Sequence, residues 1–211
     1  MIFKFPTVYP ILDSYVIPAI GRADYLRRLG SSLADAGVTL LEYRNKVASD
    51  AVLIADGEVL RAAMPNVKLI LDDRADLVDQ LSFDGTHLDP GDVSASEARR
   101  MLGPDRIIGT FGGSDSLLPG VLTEPADYFA VGPVYTTTTK QTNKAPIGPE
   151  GVRRLREQAG PNVVLTAAAG ITLENAQLVL DAGANAVAVS AAIFRTANPA
   201  AEFKRWIDQL D

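Results

Sequence analysis

The sequence predicts a closed (β/α)8 barrel on three observations. Eight short apolar runs have β character, the segments between them carry helical spacing, and 211 residues suit eight such units at the small end of this class. Strict alternation of strand and helix demands parallel strands, because each parallel pair needs a crossover of a dozen or more residues. The runs are Thr7 to Leu12, Thr39 to Tyr43, Lys68 to Leu71, Gly85 to Leu88, Arg106 to Gly109, Tyr128 to Val131, Val163 to Thr166 and Ala186 to Val189.

After the first run, Tyr25, Leu26, Leu29 and Leu33 recur at the helical period, and Ala36-Gly37 follows where that helix must stop. Val52, Ile54, Val59 and Leu60 mark the next helix. Val152 and Leu155 mark a later one, and Leu173, Ala176, Val179 and Leu180 the one after it, closed by Gly183-Ala184. The fifth unit is the weakest. Its stretch from Gly112 to Gly120 holds too many helix breakers, so its helix is expected to be short or late. No repeat, linker or low-complexity block interrupts the pattern, and residues 1–211 read as one domain. A doubly wound open sheet is the runner-up, but Asp13-Ser14-Tyr15 stands where that fold wants a glycine-rich turn.

Composition narrows the function classes. Hydrophobic residues make up 47% and charged residues 22%, so the whole chain is expected to fold. A net charge of -6 argues against a nucleic-acid binder, whose phosphate contacts need a basic face. With no cysteine, neither a disulfide framework nor a thiolate metal site can form. The N-terminal residues lack the apolar core and small-residue cleavage site of a signal peptide, and no apolar run reaches about 18 residues. A cytoplasmic protein without membrane contact is expected.

In a barrel, the residues just after each strand share one rim. Strand two ends in Glu42-Tyr43-Arg44-Asn45-Lys46, where Glu42, Arg44 and Lys46 alternate onto one face; a solvated mixed-charge face is the competing reading. Strand three ends in Asp72-Asp73-Arg74, equally a helix cap with a first-turn ion pair. Strand four leads through His87 to Asp89 and Asp92, and the lone histidine reads first as a structural hydrogen-bonder. Strand six opens into Gly132-Pro133-Val134-Tyr135 and four threonines before Lys140, a loop suited to an anion, although such runs are often plain solvated loop. Carboxylates and cations on one rim suit a diphosphate held with Mg2+. Asp73 and Asp92 are the candidate metal ligands, with Arg44, Lys46 and Lys140 as neutralising charges. Gly170 after strand seven and Ser190 after strand eight match the phosphate site that the last two loops of such barrels often build.

Taken in order, these motifs resemble the thiamine phosphate synthase family over nearly the whole chain, from Tyr9 to the C-terminal helix. The residues that carry the resemblance are Tyr43-Arg44-Asn45-Lys46, Asp73-Arg74-Ala75-Asp76-Leu77, Asp84-Gly85-Thr86-His87-Leu88 with Asp92, Gly132-Pro133-Val134-Tyr135 with Thr137, Thr139 and Lys140, and Gly170-Ile171-Thr172 with Asn175-Ala176. The resemblance implies a TIM barrel that joins hydroxymethylpyrimidine diphosphate to thiazole phosphate with Mg2+ and releases pyrophosphate by way of a pyrimidine carbocation. It implies Arg44, Lys46 and Lys140 as the catalytic cations at the diphosphate, and Asp73 and Asp92 as metal ligands. Thr137, Thr139, Gly170, Ser190 and Ala191 would hold the thiazole phosphate, and Glu42, Asp72 and Thr138 complete the substrate-contacting set.

The chain departs from the family pattern at the site. Glu42 stands for glutamine, Asp72 for asparagine, Asp89-Pro90 for glycine and glutamine, Phe111 for a serine, and Ala169 for the first glycine of a pair. A related thiazole tautomerase uses a histidine after strand five, where this chain has Phe111-Gly112-Gly113, so that activity is disfavoured. A barrel that binds phosphorylated ligands without turnover is the remaining alternative. The resemblance and the apolar Met1-Ile2-Phe3 together imply a homodimer, and the loop between Tyr135 and Ile147 is expected to close over substrates.

Overall fold

The computed structural model describes residues 4–137 and 144–210. Eight parallel strands pair in chain order and β8 returns to β1, closing the (β/α)8 barrel that the alternation predicts. The strands are β1 (Val8–Asp13), β2 (Leu40–Arg44), β3 (Lys68–Asp72), β4 (Gly85–Leu88), β5 (Ile107–Gly113), β6 (Tyr128–Val131), β7 (Leu165–Ala168) and β8 (Ala186–Val189). Around them run α1 (Arg22–Asp35), α2 (Asp50–Ala63), α3 (Ala95–Leu102), α4 (Gly148–Ala159), α5 (Leu173–Asp181), α6 (Ala191–Phe194) and α7 (Pro199–Leu210). Among the described residues, no helix is long and apolar enough to cross a membrane. Met1-Ile2-Phe3, on which the expectation of a homodimer partly rests, lie outside the described residues.

Two crossovers lack an α-helix. Between β3 and β4 there is only the 3-10 turn Ala75–Leu77, and between β5 and β6 only Val121–Thr123, where the glycines and Pro119 oppose a longer helix. The fifth strand runs four residues beyond its expected end. Thr110 and Phe111 suit a pleated strand, and a register shift between Phe111 and Gly113 absorbs the glycine pair. The seventh begins two residues later than expected.

Side chains alternate across each strand, which splits the apolar residues into two cores. The outward set, including Leu41, Tyr43, Leu69, Leu71, Leu165 and Val187, packs against helix residues such as Leu29, Leu60, Leu155 and Trp206. Tyr43 belongs to this outer layer. Its hydroxyl donates to Asp56 of α2, which also accepts from Arg22 Nε of α1 at 2.8 Å, so one buried carboxylate ties two helices to a strand. The inward set plugs the barrel with Tyr9, Leu40, Ile70, Ile107 and Tyr128. Gly109 makes room for that plug: a Cβ there would overlap the Tyr128 ring.

Overpacking at this point has nowhere to go, because Tyr128 is fully buried and hydrogen-bonded on two sides. Gly109→Ala is expected to cost about 2 kcal/mol of stability or more, measured by denaturant unfolding. A change below about 0.5 kcal/mol would show that the ring is not fixed by this contact.

Candidate active site at the C-terminal rim

Inward-facing residues in the C-terminal half of the strands leave a cavity of about 460 Å³ open to the rim. One wall carries Glu42 and Arg44 from β2, Asp72 from β3 and His87 from β4. The opposite wall, with Ala130, Thr166, Ala168 and Ala188, is small and mostly apolar. This division creates the space. Large side chains on β6 to β8 would have filled it, as Leu40, Ile70 and Ile107 fill the barrel nearer its bottom.

A hydrogen-bonded chain forms the floor. Tyr9 donates to Glu42 Oε2 at 2.8 Å, the Tyr9 and Tyr128 hydroxyls lie 2.9 Å apart, and Tyr128 lies 3.1 Å from His87 Nδ1. His87 therefore serves the structural role read from sequence, yet it also lines the cavity. Burial pushes the Glu42 carboxyl up to about 8, and the nearby Asp72 charge adds to this while the Tyr9 hydrogen bond opposes it. Burial also drives both tyrosines well above their ordinary value, with Glu42 the next cause.

Above the floor, charge concentrates where β2, β3 and β4 end. Arg44 is paired with Asp13, and its Nε lies 3.3 Å from Asp72 Oδ2. Lys46 Nζ lies 3.0 Å from both Asp72 Oδ2 and Asp89 Oδ2, and it also donates to Asp73. Burial pulls the Lys46 ammonium down, but Asp72, Asp73 and Asp89 outweigh it, so its pKa rises. Asp72 is pushed up to about 7 by burial, against the pull of Lys46. Asp92 is pushed up to about 6, first by burial and then by its contact with Asp73. Its Oδ2 accepts from the Asp89 backbone N–H at 2.8 Å.

Asp73 adopts a left-handed backbone (φ 66), a conformation that costs a non-glycine residue about 1 kcal/mol and is often retained at functional sites. Its neighbour Arg74 turns away to pair with Asp76 and Asp50, each at 2.6 Å. The surface ion pair and the inward carboxylates thus coexist on consecutive residues.

These carboxylates fit a hard divalent cation. Asp72, Asp73 and Asp89 each present an oxygen, all within 4.8 Å of one another. Asp72 Oδ2 is buried and makes no hydrogen bond of good geometry although two cations stand within ion-pair distance, so it retains coordinating capacity. The expected pair was Asp73 and Asp92; the geometry groups Asp73 with Asp72 and Asp89, and sets Asp92 against Asp73 from the side.

The loop after β6 is anchored by Val134 N and Tyr135 N, which donate to the Ala168 and Ala169 carbonyls at 2.9 and 3.0 Å. Thr137 lines the cavity. Thr138, Thr139 and Lys140 lie outside the described residues, as does most of the segment expected to close. Gly170, with φ 68, packs so tightly on this loop that a Cβ would sit 2.5 Å from the Thr136 carbonyl oxygen. Ser190 and Ala191 occupy the end of β8 and the start of α6, and Ser190 Oγ lies 3.3 Å from the Tyr15 hydroxyl. All three belong to the same rim, but Ala169 forms the cavity wall there. Sequence reasoning missed Tyr9, Tyr128, Asp13, Thr166 and Lys144. The inward phase of β1, β6 and β7 was a usable signal for four of them; Lys144, 4.2 Å over the Phe111 ring, had none.

A family model described as thiamine monophosphate synthase matches residues 8–193, from the first barrel strand into α6. The chain belongs to the thiamine monophosphate synthase family. It is 35% identical over 189 residues to the thiamine-phosphate synthase of Koribacter versatilis, covering 89% of each chain. It is likewise 35% identical to that of Agrobacterium fabrum, with 93% of each chain covered. The solved thiamine phosphate pyrophosphorylase from Pyrococcus furiosus superposes with a TM-score of 0.76 at 25% identity, over 97% of this chain and 95% of that one. In this member of the thiamine monophosphate synthase family, Asp72, Asp73 and Asp89 stand together at the rim of the barrel.

Glu42 sets a pH dependence. Folded, it keeps its proton to about pH 8; unfolded, it ionises near 4.5, so between these values the folded state binds more protons and stability falls as pH rises. Glu42→Gln is expected to flatten that slope and to be the more stable of the two at pH 9. Unfolding at pH 5, 7 and 9 checks this, and parallel curves for the two proteins would refute it.

Proposed function

We propose that the protein joins hydroxymethylpyrimidine diphosphate to thiazole phosphate, giving thiamine phosphate and pyrophosphate. The observation that best supports this reading is the placement of Arg44 and Lys46 beside a carboxylate cluster, at the mouth of a cavity with room for a heteroaromatic ring. Arg44 and Lys46, with Lys140, receive the diphosphate. As the bond from the methylene carbon to the diphosphate oxygen breaks, the electron pair leaves with pyrophosphate and the cations stabilise the charge it gains. The positive charge left on the pyrimidine is taken up when the thiazole nitrogen supplies the pair for the new C–N bond. Asp73 and Asp92, with Asp72 and Asp89 beside them, would hold Mg2+, which when bound adds neutralising charge for the leaving group.

Glu42 suits this role despite replacing an amide. Held neutral by burial, it offers one O–H donor and one carbonyl acceptor, the same pair that a glutamine head group offers a ring. Thr137, with Thr138, Thr139, Gly170, Ser190 and Ala191, serves the phosphate of the acceptor. Both substrates are charged phosphate esters, and a cytoplasmic setting suits them.

A second reading, a barrel that binds such ligands without turnover, draws on the excess of carboxylates. Asp13, Asp72, Asp73, Asp89 and Asp92 crowd around Arg44 and Lys46, and each unneutralised one opposes a diphosphate. Incubation with both substrates and Mg2+ separates the readings: thiamine phosphate is expected, and retained thiazole phosphate binding with no product would favour the binder. In the enzyme, Lys140→Ala should lower kcat about a hundredfold, through loss of roughly 3 kcal/mol at the leaving group. Thr137→Ala should raise the acceptor's KM and leave kcat near wild type. Steady-state kinetics with each substrate varied in turn would reveal a reversed pattern, which would overturn this division of roles.

A further inference from the structure

Lys46 occupies the place that a divalent ion would take. Its ammonium donates to Asp73 and stands 3.0 Å from oxygens of Asp72 and Asp89, and these are the same three residues whose carboxylates converge within 4.8 Å. Arg44 is already engaged, paired with Asp13 and with its Nε 3.3 Å from Asp72 Oδ2. The ammonium and a divalent ion compete for the same lone pairs, and their charges repel at such separations.

We propose that Lys46 is the exchangeable occupant of this carboxylate cluster, and that metal and diphosphate therefore bind interdependently. Without diphosphate, an incoming ion must drive Lys46 out to solvent, where it gains no partner. With diphosphate at the rim, the flexible four-carbon stem delivers the ammonium to phosphate oxygens, and the carboxylates are released to the ion. Lys46 can make this move because its side chain is only partly buried, while Asp72 beside it is buried at the end of β3. By linkage, whatever diphosphate contributes to metal affinity the metal returns to diphosphate affinity, and couplings of this kind span about 5- to 150-fold. Lys46 thus serves both ligands, contacting the diphosphate and yielding the carboxylates to the ion, and it protects an over-acidic cluster from self-repulsion when neither is bound.

This inference rests on the metal assignment proposed above, and the test keeps the two apart. Mn2+ binding to the full chain is measured by electron paramagnetic resonance, alone and with inorganic pyrophosphate, for wild type and Lys46→Met. The expected result is Mn2+ affinity without pyrophosphate at least about tenfold higher in Lys46→Met than in wild type, with a smaller gain on adding pyrophosphate. A second expectation is that Lys46→Met melts lower than wild type without metal, and that Mn2+ raises its melting temperature by more. Should Lys46→Met fail to fold, Lys46→Gln supplies the same comparison. If wild type binds Mn2+ with pyrophosphate but the variant shows no gain for Mn2+ alone, this inference falls and the metal assignment stands. If neither protein binds Mn2+ under either condition, both fall.

Discussion

Closure of the sheet is the constraint on which the remainder depends. Once β8 pairs with β1 there is no free edge, all strands point the same way, and every second side chain is forced into one narrow interior. Residues from Tyr9 to Thr166 that share no neighbourhood in sequence then line one cavity. The same closure fixes how that interior is divided. Aromatic and branched side chains fill the bottom, and alanines on β6, β7 and β8 leave the top open. Gly109 belongs to this economy of space, since the lack of a side chain there lets Tyr128 lie across the floor.

The second constraint is charge balance. A buried carboxylate is costly unless it is neutral, paired or metal-bound, and the site uses different solutions at different depths. Glu42, at the floor and remote from solvent, keeps its proton. Asp13 pairs with Arg44, and Asp72, Asp73 and Asp89 share Lys46. Asp72 and Asp89, which sharpen this imbalance, sit next to each other at the ends of β3 and β4. With Asp73 they gather negative charge around a single lysine, Lys46.

Phe111 illustrates how a local departure acquires meaning only from its surroundings. In sequence it lies beyond the expected end of the fifth strand. In the barrel that strand continues, Phe111 turns inward opposite Ala130, and Lys144 rests over its ring. An aromatic wall with a cation over it suits this side of the cavity to a flat ring.

By itself the sequence determined the order and the direction of the chain. Short apolar runs, helical runs between them and glycines at the stops are local properties, so the eight strands and the rim that follows them were legible, as were Arg44, Lys46, Asp72 and Asp73 as residues of that rim and Glu42 as a residue of the same site. Tertiary structure alone decided which of these touch. That Asp89 closes a triad with Asp72 and Asp73, that Lys46 fills it, and that Tyr9 reaches Tyr128 across the barrel depend on strand register and on the inward phase of each strand. The reason is physical: a one-residue slip along a strand leaves its composition unchanged yet turns every side chain to the other face, so partners 27 to 119 residues apart are set by closure and packing rather than by any local preference.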